Sequence, residues 1–344
     1  MNSEKMIAMM LTLGMLAASF AGCLGGDDEE LEEYAPASGL DAEFVNSDWD
    51  PIIPNLNDGE MCDAIISAMT KTETREQVVD FTRGYYTSSQ GVIGSPDAPA
   101  ITSASDMNAA GTVVVLQSGT TSDIWANGDA ENAANLPDAT VNALNDWASV
   151  IEAVNNGDAH YAIGDAPVLA LQGTLLVTFS DEVFGIAVRE DSTQLLDALN
   201  VAIGAIVDSG EWDAIATAWA LKAPLTDDTD ANTASAYPVP EAGSTLTKVL
   251  NAGTLKFCSD TTYPPFENLD SNGVAEGFDI DIANALMDEM SAHYMSTSNP
   301  MFSKAGCTTS QASNYDSTAT DDDGSCYRFG CTSEWVDNYD SLAT

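Results

Sequence analysis

Residues 253–290 read GTLKFCSDTTYPPFENLDSNGVAEGFDIDIANALMDEM, and this stretch decides the fold. Leu255-Lys256-Phe257-Cys258-Ser259 reads as a buried strand and Asp260-Thr261-Thr262-Tyr263-Pro264-Pro265-Phe266 as the loop at its end. Gly277-Phe278-Asp279-Ile280-Asp281-Ile282 then opens a helix, with Asp279 placed to cap it. Such a strand needs neighbours, because alone it exposes apolar surface and unpaired backbone groups. A complementary buried run is Cys62-Asp63-Ala64-Ile65-Ile66-Ser67-Ala68-Met69. Residues 255–259 are therefore expected as a parallel strand beside residues 63–67.

The 344 residues, 44% of them hydrophobic, suffice to bury two lobes or domains with appendages. Ten Lys and Arg stand against 54 Asp and Glu, a formal charge of −44. That sign repels nucleic-acid phosphates and anionic headgroups, so no nucleic-acid partner is expected, and it suits an exported protein in salty surroundings. Lys5 precedes an apolar run over residues 6–20, too short for a comfortable membrane span, which ends in Ser19-Phe20-Ala21-Gly22-Cys23. The run resembles a bacterial or archaeal lipobox, which implies cleavage before Cys23 and lipid attachment to its thiol. The other reading is an uncleaved anchor helix, and both leave the rest of the chain outside the membrane. Asp27, Asp28, Glu29, Glu30, Glu32 and Glu33 form a charged tether.

Downstream, strand and helix patterns alternate, which is the mark of an α/β protein. Residues 40–45 read as a strand, 49–56 as a helix and 61–69 as a buried strand. Thr70-Lys71-Thr72-Glu73-Thr74-Arg75-Glu76 stands at that strand's end, where open α/β sheets bind ligands. Arg75 can grip a carboxylate through two parallel hydrogen bonds. Residues 101–110 read as a helical link, and the strand 111–117 delivers Ser118-Gly119-Thr120-Thr121-Ser122, a helix start whose free N–H groups suit an anion. A helix over 150–159 and a strand over 160–163 lead to Gly164-Asp165-Ala166-Pro167, with Asp165 either facing a cleft or capping the next helix. Residues 184–188 read as a returning strand and 195–219 as closing helices.

Residues 48–86, DWDPIIPNLNDGEMCDAIISAMTKTETREQVVDFTRGYY, closely resemble the family 3 extracellular solute-binding proteins of polar amino acid ABC transporters. The family pattern DW-x-x-x-I-P-x-L-x-x-G-x-x-D-x-I-x-x-x-M-T-x-T-x-x-R-x-x-x-V-x-F is matched nearly throughout. The departure is Arg83-Gly84, where the family commonly has Asp-Pro, and it bears on the hinge. The resemblance implies a two-lobed α/β fold of the type II periplasmic-binding-protein kind, closing about a hinge. It implies Arg75 as the clamp for a ligand α-carboxylate, helped by Thr70 and the backbone near Ser67, with Gly119, Thr120 and Thr121 meeting that group from lobe two. Asp165 would take the α-ammonium, which requires an acceptor-only anion. Asp260, Tyr263 and Phe266 would sort the side chain.

In that family the strand and helix of residues 253–290 come first, whereas here they follow the rest. The order is either a circular permutation or the remnant of two tandem domains, and in both the pieces complete one solute-binding domain. The segments are a signal and lipobox (1–23), a tether (24–37), the main binding segment (38–222, lobe two about 92–182), a linker (223–246), the completing segment (247–292), a connector (293–304) and Cys/Asp-rich repeats (305–344). Cys62 and Cys258 read as buried thiols. The tail repeats Gly306-Cys307-Thr308 and Asn314-Tyr315-Asp316 at a spacing of 24 residues as Gly330-Cys331-Thr332 and Asn338-Tyr339-Asp340. Cys307 and Cys326 can close a small loop. Asp316, Asp321 and Asp323 resemble thrombospondin type 3 calcium loops, the alternative being solvated acids in a disulfide-closed spacer.

The expected function is extracytoplasmic capture of a polar amino acid, without catalysis or cofactor, by a protein lipid-anchored at Cys23 to the outer face of the membrane, and its delivery to an ABC transporter permease. The alternatives are a ligand-sensing or calcium-dependent surface module without transport, and a non-functional truncated tandem product. His160 and His293 form no evident nucleophile or metal constellation.

Overall fold

A computed structural model of the chain describes residues 39–130, 132–221, 234–295, 305–306 and 321–322. Lobe one begins with β1 (Asp41–Asn46), α1 (Ile52–Asp58), β2 (Ala64–Ile65) and β3 (Asp80–Phe81). The chain crosses into lobe two along β4 (Tyr86–Gly94) and there builds β5 (Val113–Gln117), α2 (Thr121–Asn127), β6 (Thr140–Leu144), α3 (Trp147–Asn156), β7 (Tyr161–Asp165) and α4 (Ala166–Gln172). It returns along β8 (Val177–Phe184) to β9 (Ala187–Val188), α5 (Thr193–Ser209) and α6 (Glu211–Ala218). The completing segment carries α7 (Thr245–Ala252), β10 (Thr254–Ser259), the short strands β11 (Thr262–Tyr263), β12 (Glu267–Leu269) and β13 (Ala275–Glu276), and α8 (Phe278–Tyr294).

Each lobe rests on a five-stranded sheet, ordered β1-β10-β2-β9-β3 in lobe one and β6-β5-β7-β4-β8 in lobe two. The late strand β10 lies parallel between β1 and β2, where Phe257 pairs with Phe44 and Ala64, and Cys258 with Val45 and Ile65. The expected pairing of residues 255–259 with the run around Ala64 is therefore met, although the β2 ladder itself is only Ala64–Ile65. Beyond it the chain turns toward the cleft, with Ala68 at φ 43°.

Side-chain alternation explains why β10 is central. Leu255 and Phe257 enter the core that also holds Phe278, Ile282, Leu286 and Met290 of α8, a stripe at four-residue spacing. Cys258 enters a second core with Ile52 and Leu56 of α1. A strand covered on both faces reads as nearly continuous apolar sequence. The end of α8 meets the beginning of β1, where the Leu40 N–H donates to Ser291 Oγ at 3.2 Å. The Trp212 indole N–H of α6 donates to the Tyr85 carbonyl at 2.7 Å, tying the closing helices to the crossover strand.

Several expectations need correction. Cys62 and Cys258 are not thiols but a disulfide, because the segment entering β2 runs beside β10 and brings their Cα atoms to 5.6 Å, within bridging range. Asp279 makes no capping bond to α8. Its carboxylate is buried and accepts from the Ala68 N–H at 2.7 Å and the Tyr85 hydroxyl at 2.8 Å. The link expected over 101–110 is a single 3-10 turn, Ala104–Met107, held by the Ser103 and Asp106 capping box. Cys23, Cys307, Cys326, Asp316 and Asp323 lie outside the described residues, and from the tail only Ala305–Gly306 and Asp321–Asp322 are described, as a parallel pair.

The bridge spans 196 positions of sequence, and closing so long a loop removes about 5 kcal/mol of denatured-chain entropy. Cys258→Ser is expected to lower the unfolding free energy by about 2–5 kcal/mol in urea titration. An unchanged midpoint would show that packing alone seats β10.

Candidate functional site

The strand ends of the two lobes face each other across a cleft. Lobe one contributes Ser67, Ala68, Thr70 and Arg75 beyond β2, and Asp260, Tyr263 and Glu267 beyond β10, with Trp49 ahead of α1; lobe two contributes Gln117, Thr120 and Thr121 at the end of β5 and Asp165 at the end of β7. The enclosed space is about 30 Å³, room for roughly two or three water molecules. A small organic solute can enter only if the lobes part.

Arg75 is 8% exposed. Its guanidinium donates to the Thr70 carbonyl at 2.7 Å and, across the cleft, to the Gly119 carbonyl at 3.3 Å, and it stands over the Trp49 ring at 5.2 Å from the centroid. Burial lowers its pKa to about 10, while the carboxylates of Glu182 and Asp165 act in the opposite sense. The group stays cationic at neutral pH. Gly119, at φ +70°, occupies a left-handed backbone position beside Asp50.

Asp165 is also 8% exposed. Oδ2 accepts from the Tyr263 hydroxyl at 2.8 Å, and the Asp165 N–H donates back to the same oxygen at 3.1 Å, so lobe two and lobe one meet through this pair. Oδ1 is buried without a hydrogen-bond partner. Although Asp165 stands at the start of α4, its side chain makes no cap, which decides the sequence alternative in favour of the cleft. Burial first, and Glu182 second, push its pKa up to about 7 against hydrogen bonds from Tyr263 and Ser88 and the charge of Arg75.

At the other end, Asp260 accepts from the Thr262 hydroxyl at 2.8 Å and from the Gln117 amide at 3.4 Å, the second contact again crossing the cleft. Burial raises its pKa. Ser67 accepts from the Asp260 N–H at 3.0 Å and donates to Glu267 at 2.8 Å. Burial and the neighbouring Asp279 push the Glu267 carboxyl well up. With Glu267 held by Ser67, the carboxyl groups left to meet a solute are those of Asp165 and Asp260.

The structure brings together Arg75, Thr70, Ser67, Thr120, Thr121, Asp165, Asp260 and Tyr263 as expected. The Thr120 hydroxyl, however, is engaged as the cap of α2, donating to the Gln117 carbonyl at 2.7 Å and accepting from the Asp123 N–H at 3.3 Å. Phe266 is not in the cleft. Its N–H donates to the Tyr263 carbonyl at 3.1 Å, and its ring packs edge-on against Tyr86, Phe184 and Phe278 in the core. Sequence reading missed Trp49, Ala68 and Glu267 as lining residues. Glu267 directly adjoins a named loop and could have been found there; Trp49 read only as the start of a helix.

The chain matches the model of bacterial extracellular solute-binding proteins, family 3, over residues 24–222 and 255–320. It is 27% identical over 201 residues to a probable histidine-binding protein of Neisseria gonorrhoeae, covering 56% of this chain and 72% of that protein. Against an ABC transporter glutamine-binding protein of Bacillus subtilis it is 26% identical over 182 residues, covering 50% of this chain and 62% of that protein. Among solved structures, an ancestral amino acid-binding protein described as a precursor of cyclohexadienyl dehydratase is 30% identical, with a TM-score of 0.47, covering 52% of this chain and 77% of that one.

A carboxyl whose folded pKa is raised costs stability once pH exceeds its unfolded value, and the full cost is reached above the folded value. For Asp165, raised from 3.8 to about 7, the cost is up to about 4 kcal/mol. Asp165→Asn should therefore stabilise the free protein at pH 8, with the gain fading as pH falls from about 7 to about 4. Thermal melting at several pH values checks this; a gain independent of pH would show that the carboxyl does not titrate in that window.

Proposed function

The chain belongs to family 3 of the bacterial extracellular solute-binding proteins, and from that premise we propose that its cleft captures one free amino acid and presents it to an ABC transporter permease. The supporting observation is the pairing of a buried guanidinium, Arg75, with a buried carboxylate, Asp165, whose Oδ1 is unpartnered. A zwitterion complements both, its carboxylate accepting from Arg75 and its ammonium donating to Asp165. Asp260, Gln117, Trp49 and Tyr263 are left to meet the side chain, and their chemistry favours a polar or cationic one. The names of the histidine- and glutamine-binding relatives agree with that range. Anchoring by lipid at Cys23 would keep the binding protein beside its permease.

Closure follows from the geometry. Tyr263 with Asp165, Asp260 with Gln117, and Arg75 with the Gly119 carbonyl already join the lobes. Parting them about the β4 and β8 crossovers would admit the solute, and its charged groups would then insert between the same partners.

Arg75→Ala is expected to lose about 2–5 kcal/mol of amino acid binding in calorimetry while the melting profile stays cooperative. Near wild-type affinity would overturn the clamp. Asp165→Asn should weaken amino acids far more than their deaminated analogues, and equal losses would assign Asp165 a structural role.

The ammonium needs the anionic form of Asp165, so affinity should rise with pH. With a free-protein pKa of about 7, the gain between pH 5.5 and pH 8 is roughly 30-fold. Asp165→Asn should flatten the profile; a wild-type affinity that falls over the same window would contradict the assignment.

A further inference from the structure

A second concavity adjoins the cleft on the other side of Thr121. It measures about 480 Å³ against about 30 Å³ for the cleft and lies between residues 72–74 of lobe one and α2 and β8 of lobe two. The ionisable groups that line it are all acidic: Glu73 from lobe one, and Asp129 and Glu182 from lobe two. Glu182 is only 4% exposed; its Oε1 accepts from the Ser180 hydroxyl at 3.2 Å, and its Oε2 has no hydrogen-bond partner. A carboxylate held that deep with one oxygen unanswered favours a cation beside it. Arg75, a cation whose charge it senses, is committed to the carbonyls of Thr70 and Gly119.

The lining also describes the shape of the cation. Trp125 belongs to it, its ring fixed against Phe179 at 4.5 Å between centroids, and an indole face attracts ammonium groups. Among the described residues no group of three or more His, Cys, Asp or Glu converges to hold a metal ion. Carboxylates spread around a roomy recess suit charges spread along a chain. We propose that this recess binds a linear polyamine, with ammonium groups at Glu182 on its floor and at Glu73 on the lobe-one rim and the methylene chain against Trp125. The assignment does not depend on what the cleft itself holds.

Spermidine titrated calorimetrically into the full chain in physiological salt should give a single saturable event. Glu73→Gln with Glu182→Gln should weaken it at least fivefold, Trp125→Ala should weaken it as well, and Arg75→Ala should leave it unchanged or tighter. The charge-matched control is Glu211→Gln with Asp213→Asn on the exposed side of α6, which should change nothing. If both double variants lose binding equally, the attraction is that of a polyanion and the proposal fails. It also fails if no saturable event occurs, or if Arg75→Ala abolishes it, since the amine would then sit in the cleft. Should the double variant melt early, Glu73→Gln alone, at an exposed position, carries the comparison and should weaken spermidine at least twofold.

Discussion

The pairing of β10 with β1 and β2 is the contact on which the rest of the molecule depends. Remove it, and β1 and β2 lose their common neighbour, while the cores that meet Phe257 on one face and Cys258 on the other each open to solvent. The same strand delivers Asp260, Tyr263 and Glu267, so lobe one has no complete side of the cleft without it. The disulfide of Cys62 with Cys258 fastens this pairing at its centre. Asp279, at the start of the helix that follows, fastens it again by accepting from Ala68 beside the cleft and from Tyr85 at the crossover. One late segment therefore couples sheet, cleft floor and crossover.

Much of this was legible because strand ends carry their own chemistry. The runs ending at Met69, Gln117, Asp165 and Ser259 are mainly apolar until they reach the cleft and more polar from there on, so the change of composition marks the site. Partner choice within lobe one was legible for a similar reason, since a strand buried on both faces can only be central. What could not be read were features fixed by distance in space. The separation of Cys62 from Cys258 along the chain says nothing of their 5.6 Å approach. Phe266 looked like a cleft wall because Tyr263 is one, but it stands three residues further on and its ring turns into the core against Tyr86, Phe184 and Phe278. Asp279 fits the pattern of a helix cap, and only the position of Ala68 and Tyr85 shows that its carboxylate has other partners.

Glu182 was illegible for a different reason. In Ser180-Asp181-Glu182-Val183-Phe184 it reads as one of several acids on a partly exposed strand, in a chain where acids are abundant. Its burial follows from the register, which sets it opposite Ser88 just beyond an irregularity between Ser89 and Gln90. The irregularity shifts the outer part of β8 by one residue against β4, and Ser180 adopts φ 55° at that point. A face that simple alternation would hand to solvent is thereby turned inward.

Net charge and local charge have separate roles in this protein. The −44 of the chain is spread over a surface where salt screens most of it within about 10 Å. The acids that line the cleft are largely removed from water, and there burial shifts their pKa values upward. The Glu267 carboxyl is pushed well up and accepts from the Ser67 hydroxyl, whereas Asp165 sits near its midpoint at neutral pH. Arg75 keeps its charge in the same enclosure because Glu182 and Asp165 oppose the cost of burying it. An arriving zwitterion would reinforce that balance at both ends, giving Arg75 a second anion and holding Asp165 in its ionised form. The electrostatic gain on closing would come from the few groups that burial has left incompletely neutralised, and the surface acids would contribute little to it.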